Sequence, residues 1–177
     1  MSAYGQLSHT RPGAARSSRP LVIVGGVGLV GSLGALSGSL LPWGSVESAA
    51  WGTKHISGMD ADGALTLVAA LATAALLVLG VLAKRDALAS VAAAPALVGA
   101  VIAVRSATDT EGLARIYVED ELGRSGDEVD ALLATLKGYS AAAGVWLVVA
   151  GFLLALAAAL TAGLFAYRKA RLRSRNG

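Results

Sequence analysis

Four stretches with no Asp, Glu, Lys, Arg or His in their interiors constrain this chain more than any other feature. They cover about residues 21–42, 64–83, 87–105 and 141–167. An α-helix rises ~1.5 Å per residue, so ~20 apolar residues cross a ~30 Å hydrocarbon core. The apolar residues come in blocks and not at amphipathic spacing, which is the pattern of a span. With 55% of its 177 residues hydrophobic and 15% charged, a soluble domain of this size could not bury its apolar surface. The expected fold class is all-α: an integral membrane four-helix bundle, with two short extracytoplasmic helices between spans 3 and 4. The first stretch exceeds the ~7–15 residues of a signal-peptide core, so it reads as a retained span despite Ser48-Ala49-Ala50 downstream. Pro42 and Trp43 close it, Trp being favoured at headgroup level. Pro95, mid-way along the third, is a candidate kink.

Charge sets the expected topology. Residues 1–20 form a polar tail with no apolar period, expected to be disordered, and residues 168–177 form a basic tail. Arg11, Arg16, Arg19, Lys84, Arg85, Arg168, Lys169, Arg171, Arg173 and Arg175 fall on one side of the spans. Lys54, Arg105, Arg115, Arg124 and Lys137 fall on the other. Ten bases against five place both termini in the cytoplasm of a multi-pass plasma-membrane protein. The outer segments are then 43–63 and 106–140. The bases sit beside spans, so the net charge of +3 is no argument for nucleic acid.

Gly28, Gly31, Gly34 and Gly38 recur every three or four residues and form a smooth stripe on the first span. Small residues let helices approach closely in lipid. The stripe therefore serves either packing within the bundle, with Gly144, Gly151, Ala155 and Ala159 as an answering face, or a homo-oligomer. Transporters, pumps and intramembrane enzymes normally need an ionisable group at depth, and none stands there. Hydroxyls such as Ser32 and Thr73 can bond to their own helix carbonyls.

The outer segments carry the remaining signals. Asp60 and Asp62 in Gly58-Met-Asp-Ala-Asp-Gly63 resemble part of a calcium loop, but Gly58 and Ala69 stand where its acidic ends belong. Capping of the next helix is the reading preferred here. His55 is the only histidine on the outer side and has no second ligand there to make a metal site, and Glu119-Asp-Glu121 reads as a solvated face. Leu113, Ile116 and Tyr117 mark one outer helix, ending near Gly123. Ser125-Gly-Asp-Glu128 has capping-box spacing before a second, from Gly126 to Lys137, which Gly138 stops. Its Val129, Leu132, Leu133 and Leu136 lie on one face. That face rests on the bundle or the membrane interface, or contacts a partner.

Leu-Pro-Trp at 41–43, Gly-Met-Asp-Ala-Asp-Gly-Ala-Leu-Thr-Leu at 58–67 and Gly-Val-Trp-Leu at 144–147 resemble a group of small actinobacterial four-helix membrane proteins of unknown function. The resemblance covers most of the chain beyond residue 20 and implies topology and envelope location. The span layout is more loosely similar to tryptophan-operon-associated membrane proteins. The residues supply no nucleophile–base pair, metal set or cofactor motif, and no cysteine. The expected function is that of a non-enzymatic accessory or scaffold subunit, embedded in the lipid bilayer and engaging an envelope protein partner through its outer cap. A small-molecule transporter or channel, and an extracytoplasmic ligand sensor, are the rival expectations.

Overall fold

A computed structural model describes residues 19–50, 52–120 and 122–175. The expected disordered tail falls outside them, except that Arg19 and Pro20 already belong to the first helix. Glu121 of the acidic run also falls outside. The chain is mostly helical. Helix α1 spans Arg19–Leu40, α2 Gly63–Leu82, α3 Asp86–Val91, α4 Ala93–Thr108 and α7 Ala143–Ser174, with α5 (Thr110–Asp120) and α6 (Asp127–Leu133) between α4 and α7. Four helical stretches are long and apolar enough to cross a membrane: 20–40, 63–82, 86–108 and 143–174. The third is α3 and α4 together. They break at Ala92, three residues before Pro95, because a proline ring has no N–H to give to the carbonyl of Val91.

Between these helices the all-α expectation fails. Strand β1 (Pro42–Ser48), β2 (Gly52–Ser57) and β3 (Gly138–Ala141) form an antiparallel sheet in the order β2-β1-β3. The β1–β2 hairpin pairs Ser48 with Gly52, and Gly52 takes φ +73, which turns the chain back. A register shift between Pro42 and Gly44 lets the strand leave α1 directly. On the other edge, Gly44 pairs with Ala141 and Glu47 with Gly138. Gly138 therefore starts a strand, whereas its expected role was to stop a helix. The second outer helix ends early, at Leu133, because residues 137–142 are drawn into the ladder: Lys137 N–H donates to Glu47 O at 2.9 Å and Ala142 N–H to Trp43 O at 2.8 Å.

The helical core is built from small residues. Ala35, Ala70, Ala96, Ala103 and Ala155 are fully buried together with Val145, Val148 and Phe152. The closest approach is between α1 and α7. A Cβ on Gly31 would stand 2.6 Å from Gly151 O and 2.9 Å from Ala155 N. One on Gly38 would stand 2.8 Å from both Gly144 O and Val148 N. Gly28 faces Leu77 of α2 and Ala158 of α7, at 2.7 and 3.0 Å from such a Cβ. Gly34 is the exception, with nothing nearer than 3.9 Å. On the far side of the bundle, Phe152 fills the space beside Gly99 of α4.

At the end away from the sheet, α2 ends in paired 6→1 and 5→2 bonds, Arg85 N–H to Gly80 O at 2.9 Å and Lys84 N–H to Val81 O at 3.1 Å. Lys84 sits at φ +52 in that turn, a left-handed conformation that costs a non-glycine residue roughly 1–2 kcal/mol. Asp86 is only 7% exposed and pairs with Lys169, which fixes the start of α3 to α7. Helix α7 continues through Ser174, so the expected basic tail is a helical extension.

The two classes of glycine contact lead to different mutational outcomes. Gly31→Ala and Gly38→Ala press a methyl onto α7 backbone and should each cost ~1–3 kcal/mol, seen as a lower Tm in detergent. Gly34→Ala should leave Tm almost unchanged. Equal effects at all three positions would mean that α1 and α7 do not meet in this register.

Candidate functional site

The site is the cap that the three strands, α5 and α6 build over one end of the bundle. Its attachment begins at α1, whose last carbonyls need donors. Gly38 O accepts the indole N–H of Trp43 at 3.0 Å and the Leu41 N–H at 3.2 Å. Trp43 is fully buried within the protein. It ties the end of α1 to the start of the sheet. Below it, the buried hydroxyls of Ser39 and Thr66 lie 2.8 Å apart and link α1 to α2. A hydroxyl pair of this kind satisfies both groups where no water reaches.

Asp62 occupies the N-cap position of α2, but its carboxylate caps no backbone N–H there. Instead Asp62 Oδ2 accepts from Ser106 Oγ at 3.0 Å, joining the start of α2 to the end of α4. The side-chain cap belongs to Ser57, which accepts from Met59 N–H at 3.1 Å and starts the short 3-10 turn Gly58–Asp60. Asp60 faces a different way, into a surface groove. The two carboxylates therefore do not converge as calcium ligands would. Among the described residues, no group of three His, Asp or Glu could hold a metal ion.

The interior of the cap is apolar. Val46 of β1, Ile56 of β2, and Leu113 and Ala114 of α5 form its buried cluster, with Tyr117, Leu133 and Leu136 packed against it. Val129 is fully buried and Leu132 half-buried. Thus the apolar face of α6 rests on α5 and on the cap's own buried cluster, a surface that the sequence does not reveal. The capping box is not formed either. Gly126, at φ +59, is the N-cap of α6, and no side chain caps it. The α5–α6 connection is fixed by ion pairs instead, Arg115–Asp130 at 2.6 Å and Arg124–Glu128 at 3.1 Å. Asp130 raises the pKa of Arg115, first through the hydrogen bond and then through its charge, so the guanidinium stays protonated. Gly123, at φ +62, turns the chain just beyond α5, close to where the sequence placed the stop.

One groove opens on the cap surface, between β2 and α5, with a volume of about 310 Å³. Ile56, Ile116 and Tyr117 supply its apolar wall, while Lys54, His55, Asp60 and Asp120 bring both signs of charge to its rim. None of these four charged or titratable groups belongs to an ion pair among the described residues. Sequence reading missed this groove, because its walls come from segments 52–60 and 116–120 that only the fold brings together. A second, shallower and mostly apolar hollow of about 450 Å³ runs along α4 from Ala100 to Thr108, with Arg105 at its end. Comparison with protein-family models, curated proteins and solved structures finds no match.

The buried and half-buried positions of α6 predict a clear contrast. Val129→Asp puts an unpaired charge into the cap interior and should cost about 3–5 kcal/mol. Trypsin should then cut at Arg115 and Arg124 well before it cuts the wild type. Leu132→Asp should cost about 1 kcal/mol or less and leave the cleavage pattern alone. Equal resistance of both variants would mean that α6 is not packed into the cap.

Proposed function

We propose that this chain is a four-span integral membrane protein with both termini in the cytoplasm. In this reading it is a non-enzymatic accessory or scaffold subunit whose cap engages an envelope protein partner. The observation that carries the membrane part is the outer surface of the bundle, where large aliphatic side chains such as Ile23, Val30, Val68, Leu82, Val101 and Leu160 stand more than half exposed. Apolar surface on this scale needs lipid around it. The orientation is supported by charge and geometry together. The Asp86–Lys169 pair puts the basic 84–85 turn and the basic end of α7 at one end of the bundle, opposite the cap. The positive-inside rule assigns that basic end to the cytoplasm.

A scaffold role is favoured by where order and openness lie. The axis of the bundle is filled by Phe152 and alanines, which gives no support to a conduction path. The cap is a folded unit pinned to the bundle by Trp43. Its groove offers charges outside any described ion pair beside an apolar wall, the composition of a polar-rimmed contact site. The partner surface is therefore proposed at Lys54, Asp60 and Asp120, and not at the inward-facing Val129, Leu133 and Leu136. The same groove supports a second reading, a ligand sensor, since its size suits a small molecule.

A chain without cysteine allows one experiment to address both parts. Asp120→Cys on intact cells should react with an impermeant maleimide bearing a photo-crosslinker, and illumination should capture one recurrent protein at fixed stoichiometry. Ser174→Cys should stay unlabelled until the membrane is opened. Labelling at 174 without labelling at 120 would reverse the orientation. Labelling at 120 with no recurrent protein adduct would remove the scaffold reading and leave the sensor.

A further inference from the structure

The end of the bundle away from the cap keeps a lysine where the backbone favours glycine. Lys84 stands at the left-handed position of the turn that ends α2, and it is the one non-glycine with positive φ among the described residues. Residues held in strained backbone conformations cluster at binding and functional sites. Lys84 and the neighbouring Arg85 are both exposed, and neither forms an ion pair among the described residues.

A second observation comes from α7. The carboxylate beside these bases, Asp86, is already held by Lys169, and this pair fastens the turn to α7. Arg173 stands one turn beyond Lys169 on the same face of that helix and is exposed. At ~1.5 Å per residue, a helix of 32 residues is far longer than a ~30 Å hydrocarbon core, so its end stands clear of the apolar layer. Exposed Tyr167 and Leu172 accompany the bases there, the mixture that suits the boundary between lipid and water.

We propose that Lys84 and Arg85 from the turn, with Arg173 from α7, form one cationic seat for the phosphate diester of anionic phospholipid headgroups. Lysine meets the phosphate as a point charge and arginine as a two-pronged donor. Because Lys169 neutralises Asp86, the carboxylate that adjoins the turn, the seat keeps its positive charge. The inference rests on the membrane-spanning reading but on neither its orientation nor the role of the cap.

The test uses the full chain in mixed detergent micelles containing equal phosphatidylglycerol and phosphatidylcholine, with bound lipid counted by native mass spectrometry. The wild type should retain phosphatidylglycerol preferentially. Lys84→Gly with Arg85→Gln should lower that preference by about fivefold for each base removed. Lys84→Gly alone should lower the preference while raising Tm in neutral detergent, which separates loss of the seat from loss of the fold. Arg168→Gln with Arg171→Gln, on other faces of α7 than Lys169, should keep the preference. An unchanged preference in the Lys84/Arg85 variant would overturn the proposal. So would an equal loss in the Arg168/Arg171 control, or displacement of the lipid by excess inorganic phosphate.

Discussion

The close approach of α1 and α7 is the contact on which the rest of the structure depends. Gly31 meets Gly151 and Gly38 meets Gly144, with backbone against backbone. The same two chain segments then leave the helices and continue as β1 and β3, where Gly44 pairs with Ala141 and Glu47 with Gly138. One antiparallel pairing therefore runs from the helical bundle into the sheet, changing from helix packing to a hydrogen-bonded ladder. Glycine at the helical contacts permits the short axial distance, and that distance delivers both chains to the cap near enough to pair.

Much else follows from this arrangement. Helices held so close need small residues around them, which is why the core is mostly alanine with Phe152 filling the far side. The sheet fixes β1 between two partners, leaving β2 as an edge next to α5. The groove forms at that edge, and its charged rim is displayed on a rigid base. At the other end, the Asp86–Lys169 pair ties α3 to α7, so the long helix organises both ends of the molecule.

The sequence made the four long helices legible, because charge-free blocks of span length have few other uses. The spacing of Gly28, Gly31, Gly34 and Gly38 also identified a smooth face, although only the structure separates Gly34, which has room for a methyl, from its neighbours. The sheet was not legible. Strand β3 has four residues, Gly-Tyr-Ser-Ala, and β2 reads Gly-Thr-Lys-His-Ile-Ser, neither with enough alternation to announce a strand. The β1–β3 pairing joins residues about ninety positions apart, and no local pattern records that. Ser125 to Glu128 had the spacing of a capping box, yet the left-handed Gly126 redirects the chain before it can form. Trp43 shows the same limit, since no local pattern records that its indole N–H closes the end of α1.

A designed disulfide across β1 and β3 tests the continuous α1–β1/β3–α7 pairing most directly. Ser45 and Ser140 are register partners whose hydroxyl oxygens lie 3.0 Å apart on the exposed side of the sheet. In this cysteine-free chain, the double variant Ser45→Cys/Ser140→Cys contains a single possible intramolecular bridge. It should oxidise quantitatively within the monomer under mild conditions, and a protease cut between the two positions should then release no fragment until reductant is added. Failure to form the bridge in the folded protein, or formation only between two chains, would contradict the account.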